Sequence, residues 1–176
     1  MATSINITAL LVVLLVSIVC LFIFRKKRHQ WYIRRARQIY NRINSRQEQY
    51  APGQLMLYLR TVNPYVFEEL LLHAFSRKGY KVIHNIRYSG DGGIDGYVIV
   101  DGKRIPIQAK RYKSYIRREH VAAFARIVER RRKPFGFFIH TGRTGNVNGD
   151  PSSSLVRIIS GEKLLNLLYT DRPFRF

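Results

Sequence analysis

From Ile5 to Phe24 the chain reads INITALLVVLLVSIVCLFIF, a run with no charge, no proline and no glycine. Twenty residues at about 1.5 Å each rise roughly 30 Å, the thickness of a bilayer's hydrocarbon core. A helix in a soluble core needs a polar face, and this run has none. Met1 to Ser4 carries no basic side chain, whereas Arg25-Lys26-Lys27-Arg28 follows the run directly. A cleaved signal peptide has the opposite order, with charge before the apolar run and small residues after it. The pattern predicts an uncleaved single-pass transmembrane anchor over residues 1–24. The positive-inside rule then places Arg25–Arg28, and all that follows, on the cytoplasmic side of the inner (cytoplasmic) membrane. Cys20, the only cysteine, reads as a small apolar residue of the span and permits no internal disulfide.

Charge sharpens the choice of partner. Lys and Arg number 31 against 11 acids, a formal +20, while 46% of residues are hydrophobic. That much apolar content excludes a disordered basic tail. The excess charge calls for a polyanion, either nucleic acid or an anionic membrane surface. Residues 25–46 hold nine Lys or Arg and no acid, interspersed with Trp31, Tyr32, Ile33, Ile39, Tyr40 and Ile43. This reads as a basic juxtamembrane helix with an aromatic interfacial anchor. Each such charge is attracted to anionic lipid by about 1 kcal/mol, so this cluster has a role that needs no nucleic acid. Ala51-Pro52-Gly53 reads as a linker and Gln54–Val62 as a short helical lead-in, completing a segment 25–62.

A folded domain is predicted over 63–176. Asn63-Pro64 is a helix start, and Phe67, Leu70, Leu71, Ala74 and Phe75 recur at helical spacing until Gly79. Lys81–Tyr88 and Ile94–Val100 read as strands around a Ser89–Gly93 turn. Asp101-Gly102 is a hairpin signal, and Lys103–Lys110 is the returning strand. Arg117–Arg130 shows Val121, Phe124, Ala125 and Val128 at helical spacing. Pro134–His140 and Leu155–Ile159 are short apolar strands, and a last helix runs from Gly161 to about Tyr169. The order implies an α/β domain with a mixed sheet flanked by helices.

The chemistry converges on the hairpin. Strand alternation puts Asp95 on one face, with Gln108 and Lys110 sharing a face of the partner strand. A carboxylate facing a Gln-x-Lys strand end can hold a hard divalent cation. Asp95 supplies a carboxylate oxygen, Gln108 its side-chain carbonyl and Ala109 its backbone carbonyl, with waters completing the shell. Lys110 can then position the attacking water or stabilise the charged transition state. On the first helix, 100° per residue puts Glu68 at the edge of the apolar face with Leu72 and Phe75. It can point across the sheet, whereas Glu69, in line with His73 and Ser76, is expected in solvent. The alternative for Glu68 is a boundary acid paired with a nearby base.

These residues resemble a known family. Phe67-Glu68, Gly79-Tyr80, Gly90-Asp91-Gly92-Gly93-Ile94-Asp95 and Gln108-Ala109-Lys110-Arg111-Tyr112 look like the catalytic domain of Mrr-type (type IV) restriction endonucleases. These belong to the PD-(D/E)xK nuclease superfamily. The likeness extends weakly through Phe138-Ile139-His140-Thr141-Gly142 and the terminal strand and helix. It implies a restriction-endonuclease-like αβββαβ core and Mg²⁺-dependent (or Mn²⁺-dependent) hydrolysis of DNA phosphodiesters. Asp95 falls in the metal-binding position, Lys110 in that of the catalytic lysine and Glu68 in that of the helix acid. Gln108 stands where relatives outside the Mrr branch have Glu or Asp, so more of the negative charge must come from Asp95 and Glu68. A homodimer follows by the same resemblance.

Other features bear on this reading. Pro106 cannot donate a ladder hydrogen bond, so a bulge or a locally unpaired strand is expected there. Asp91 is either a ligand or, with Gly90, Gly92 and Gly93, a turn former. No Gly-Lys-Ser/Thr follows those glycines, which excludes a P-loop. His140 and His84 are each open between structural and site roles. Between Lys103 and Lys133 lie twelve Lys or Arg against two acids. Arg111, Lys113, Arg117 and Arg118 flank the hairpin and suit sequence-independent contact with DNA phosphates. The leading expectation is a membrane-anchored Mg²⁺-dependent DNA endonuclease. Its rivals are a catalytically inactive module tethering DNA, or a conjugation or defence partner, to the membrane, and a membrane protein whose charges serve only lipid.

Overall fold

The computed structural model of the chain describes residues 7–45, 51–85, 93–145, 154–170 and 172–176. Ile5 and Asn6 of the expected span, the 86–88 end of the first expected strand, and Ser89, Gly90, Asp91 and Gly92 of the expected turn lie outside those residues.

Helix α1 (Ile7–Asn44) is continuous over 38 residues, but its two parts are covered differently. The large apolar side chains of residues 10–24 are exposed, Leu10 at 61% and Phe24 at 69%. Within this stretch the Ser17 hydroxyl donates back to the Val13 carbonyl at 2.8 Å. Residues 10–24 rise about 22 Å, short of about 30 Å of hydrocarbon, before Arg25 opens the charged stretch. Among the described residues no helix is long and apolar enough to cross a membrane.

Beyond Arg28 the helix is amphipathic. Tyr32, Ala36, Ile39, Tyr40 and Ile43 are buried, a stripe at i, i+4, i+7, i+8 and i+11. Arg34, Arg35, Arg37 and Arg42 stay on the exposed side. The two tyrosines are thus core residues and not the interfacial anchors expected of them. Tyr32 packs on Tyr65 with ring centroids 5.3 Å apart, and Tyr40 on His73 at 4.9 Å. The Tyr40 hydroxyl also meets Thr170 Oγ1 at 3.0 Å. Trp31, by contrast, is exposed.

Helix α2 (Pro52–Thr61) begins where a linker was expected: Pro52 and Gly53 form its first turn, the position in which proline costs no hydrogen bond. Its Leu55 and Leu59 join the same core as Tyr32 and Ile43. Helix α3 (Pro64–Arg77) is capped as its sequence predicts, Asn63 Oδ1 accepting from Tyr65 N at 3.0 Å and Val66 N at 3.4 Å.

The sheet comprises β1 (Lys81–His84), β2 (Gly96–Val100), β3 (Lys103–Lys110), β4 (Gly136–His140) and β5 (Val156–Ile159), adjacent in chain order. The first three strands pair antiparallel and the last three parallel. The turn between β2 and β3 has Asp101 and Gly102 both at positive φ, 47° and 73°, as a two-residue hairpin requires. Helix α4 (Arg118–Arg130) makes the crossover from β3 to β4, and α5 (Gly161–Leu168) follows β5. This is the expected mixed sheet flanked by helices.

Two layers cover the sheet. One face carries α3, backed by α1, α2 and α5, over Val98, Ile105, Ile107, Phe137 and Ile139. The other carries α4, whose Phe124, Ala125 and Val128 meet Phe138 and Val156. The expected bulge at Pro106 is not there. Its register partner is Tyr97, in an unbroken series from Gly96↔Ile107 to Val100↔Lys103. The Ile107 carbonyl accepts from Asp95 N at 2.8 Å, so Ile107 turns its polar groups toward β2. Alternation turns those of Pro106 toward β4, where pairing begins only at Ile107↔Phe137. The missing N–H therefore falls where no ladder bond is made.

Candidate active site

The pairing pattern assembles the site at one end of the sheet. His84 stands opposite Gly96, Gly96 opposite Ile107, and Lys110 beside His140. Asp95 enters just before β2 and continues the ladder in a mixed way. Its N–H donates to Ile107 O at 2.8 Å, and its Oδ2 accepts from Ala109 N at 2.7 Å. These two bonds fix the carboxylate against the end of β3. The same alternation turns the Ala109 carbonyl to the Asp95 side of the strand.

Gln108 is buried, on the face opposite Ile107 and Ala109. Its Nε2 donates to Gly93 O at 2.8 Å. A carbonyl can only accept, so this bond orients the amide and leaves Oε1 pointing elsewhere. That Oε1 is buried with no hydrogen-bond partner. An orphaned buried acceptor costs about 1–3 kcal/mol unless something fills its lone pairs. Gly93 is required for this arrangement, because a Cβ there would stand 2.6 Å from Gln108 Nε2.

Glu68 arrives from α3. A Cβ on Gly96 would lie 2.9 Å from both Leu72 δ-carbons, so Leu72 sits directly against the start of β2. Glu68, one turn earlier on the same helix face, is carried past that start toward Asp95. Burial, then repulsion from Asp95 and Glu69, pushes the Glu68 carboxyl up to about 8, although Lys110 and Arg111 pull it down. Glu68, Asp95, Lys110 and Arg111 thus share one electrostatic environment. Removing a carboxylate from water disfavours its charged form, and a second acid nearby adds to that.

The basic residues divide. Lys113, Arg117 and Arg118 are exposed on the segment that leaves β3, at the site end. Arg111, expected to contact DNA, points inward: its Nη1 donates to the carbonyls of Arg60 (3.1 Å) and Val62. Arg60 in turn holds Thr141 O through Nε and Nη2 at 3.2 and 2.9 Å. Together the two arginines bolt the ends of β3 and β4 to the α2–α3 joint. Lys103 and Arg104, beside the hairpin turn, and residues 130–133, at and just beyond the end of α4, lie at the opposite end of the sheet. The basic cluster therefore does not all surround the site.

Glu69 departs furthest from expectation. It is only 2% exposed, because α1 covers the face of α3 that the helical wheel assigns to solvent. Its Oε2 lies 2.6 Å from His84 Nδ1 and its Oε1 3.7 Å from His29 Nδ1. The stripe of Tyr32, Ala36, Ile39, Tyr40 and Ile43 was the signal that α1 must pack on something. His140 is also wholly buried, and burial drives it down to about 4, so it is neutral. Its Nδ1 accepts from Gly142 N at 3.2 Å, which leaves Nε2–H to donate to Thr144 Oγ1 at 3.3 Å. Thr144 Oγ1 continues to Ser160 Oγ at 2.7 Å, a structural chain between β4 and α5.

The donor set suits a hard cation. It offers two carboxylates, the unpartnered amide oxygen of Gln108 and the Ala109 carbonyl, all oxygen, as Mg²⁺ prefers. Among the described residues no three His, Cys, Asp or Glu converge to hold a metal by themselves. A cation here depends on the neutral oxygens as well.

A mixed five-stranded sheet with an acid at the start of the second strand and Gln-x-Lys at the end of the third is a restriction-endonuclease-like core. The restriction endonuclease family defined by the Mrr catalytic domain matches residues 59–168, well over half of the chain, and the chain belongs to that family. It is similar to the type IV methyl-directed restriction enzyme EcoKMrr of Escherichia coli (strain K12), 29% identical over 119 residues. That match covers 62% of this chain and 39% of the relative, so the chain spans about two fifths of the relative's length.

Proposed function

We propose that this chain is a membrane-anchored, Mg²⁺-dependent (or Mn²⁺-dependent) DNA endonuclease that hydrolyses phosphodiester bonds on the cytoplasmic side of the membrane. The observation that carries the reading is the buried, partnerless Gln108 Oε1, on the strand that holds Asp95 through the Ala109 N–H and ends in Lys110.

Asp95, Gln108 Oε1, the Ala109 carbonyl and Glu68 would hold the cation. A bound divalent ion supplies charge neutralisation at the phosphate and a water acidic enough to attack near neutral pH. Asp95 keeps its orientation through the Ala109 N–H. Glu68 would hold the cation as a carboxylate, so binding there would be favoured as pH rises. Lys110 contributes positive charge where the phosphate becomes more negative in the transition state. Lys113, Arg117 and Arg118 hold backbone phosphates without reading bases.

Anchoring is supported by the exposed apolar surface of residues 10–24 and by the exposed Arg25–Arg28 that follow. Trp31 lies about 10 Å beyond Phe24 along the helix, a depth that suits the headgroup layer. An inactive DNA-tethering module is the second reading.

Incubating the full-length chain in detergent with plasmid DNA and Mg²⁺ decides between them. Nicking lost on chelation, and lost in both Asp95→Ala and Lys110→Ala, supports the endonuclease. DNA binding without cleavage under any metal supports the tether, and cleavage that survives either substitution refutes the assigned residues.

A further inference from the structure

Glu69 takes no part in the chemistry above, yet it is a carboxylate at 2% exposure in the middle of α3. Such a group is costly to bury unless it is paired and hydrogen-bonded. The pairing comes from two other elements. His84, at 2.6 Å, is the last residue of β1, and His29, at 3.7 Å, belongs to α1. The two rings stand edge to face, 6.2 Å apart.

These links bear directly on the site. Glu68 is the neighbour of Glu69 on α3. His84 is the register partner of Gly96, which follows Asp95. Asn85, next along, donates its Nδ2 to Ile94 O at 2.8 Å. Both flanks of Asp95 therefore hang from the end of β1 that Glu69 grips. One buried carboxylate joins the helix bearing Glu68 to the strand end framing Asp95.

We propose that Glu69 is a positioning residue for the nuclease site. Through His84 it fixes Glu68 relative to Asp95, and through His29 it ties that geometry to α1. The proposal rests on the nuclease reading above. Stability alone does not call for a charge here, since replacing a buried ion pair with packed apolar groups is often neutral or stabilising. An apolar contact lacks a directional bond between the helix that carries Glu68 and the strand end that frames Asp95. A misplacement of about 1 Å among reacting groups can cost on the order of 100-fold in rate.

The test compares full-length wild type with Glu69→Met, Glu69→Gln and His84→Ala, with Lys110→Ala as the control on the nuclease reading. Three quantities are read: the thermal midpoint, kcat and KM on plasmid DNA, and the rise in midpoint on adding Mg²⁺ without DNA. Glu69→Met leaves His84 and His29 without their acceptor and is expected to melt below the wild-type temperature while remaining folded. Its kcat falls at least tenfold at unchanged KM, and its Mg²⁺-induced rise shrinks. Glu69→Gln keeps an acceptor for His84 and recovers most of the rate, while His84→Ala repeats the kcat loss. Wild-type kcat and a wild-type Mg²⁺ response in folded Glu69→Met overturn the proposal. If Glu69→Met does not fold, His84→Ala decides, and wild-type kcat there overturns it. If wild type does not cleave, or Lys110→Ala still does, the nuclease reading fails separately. The Mg²⁺-induced rise then decides: a smaller rise in the folded variant supports positioning, and an equal one refutes it.

Discussion

Removing the Glu68 carboxylate should change how stability depends on pH. Burial and the neighbouring Asp95 push this group from 4.5 up to about 8 in the folded chain. Between those values the folded state holds a proton that the unfolded state has released. Its stability therefore falls as pH rises from about 4.5 to about 8, and the loss is complete above that. The difference, 8 − 4.5 = 3.5 units, at 1.36 kcal/mol each, sets an upper bound of about 4–5 kcal/mol. In Glu68→Gln no proton is exchanged at this position, so the variant lacks that decline. The assay is urea denaturation of metal-free full-length chain in detergent at pH 5 and pH 8. Wild type should lose several kcal/mol more than Glu68→Gln over this interval. Added Mg²⁺ should offset most of the wild-type loss at pH 8, because the cation replaces the proton. Parallel pH profiles for the two proteins, without and with Mg²⁺, refute the idea that Glu68 and Asp95 share one cation site. The same competition predicts that the Mg²⁺ needed for half-maximal effect falls as pH rises toward 8, by up to about tenfold per unit for one displaced proton.

Other expectations follow from single contacts. Gln108→Leu removes an orphaned acceptor together with the donor to Gly93 O, so its metal-free thermal midpoint should stay near wild type while its Mg²⁺ response and cleavage disappear. Gln108→Glu should melt lower without metal and rise more steeply with Mg²⁺, by calorimetry. Arg111→Ala should destabilise by about 1.5–3 kcal/mol, since its guanidinium serves the Arg60 and Val62 carbonyls. Lys113→Ala and Arg117→Ala should leave stability within about 0.5 kcal/mol and each lower the slope of log DNA affinity against log salt by about 1. Leu15→Arg places a charge within the apolar stretch at a cost of about 2.5–3.5 kcal/mol, and fractionation should show the chain leaving the membrane pellet.

Much of the fold was legible because its signals are local. Asn63-Pro64 caps α3, Asp101-Gly102 turns the hairpin, and Val121, Phe124, Ala125 and Val128 mark the buried face of α4. The candidate site was legible for the same reason: Asp95, Gln108 and Lys110 lie on two strands joined by one tight turn. Other readings failed where a distant element decided. Glu69 was assigned to solvent because a helical wheel records which side of α3 is apolar, not that α1 covers the other. Tyr32 and Tyr40 were given to the membrane surface because their stripe showed burial without showing what buries it. Arg111 reads as a DNA-facing cation, since a sequence records its charge and not the carbonyls of Arg60 and Val62.

The sequence by itself determined most of the helices, the hairpin and the family, all of which depend on neighbours within a few residues. Only the tertiary structure decided which charges are buried and which end of the sheet they occupy. It put Lys103, Arg104 and residues 130–133 at the end away from the site, and it closed α1 over Glu69 so that an acid with two histidines became part of the core. The physical reason is range. Turn and helix preferences act through the covalent chain, whereas burial of a carboxylate or exposure of an arginine depends on surfaces that meet only when remote segments pack.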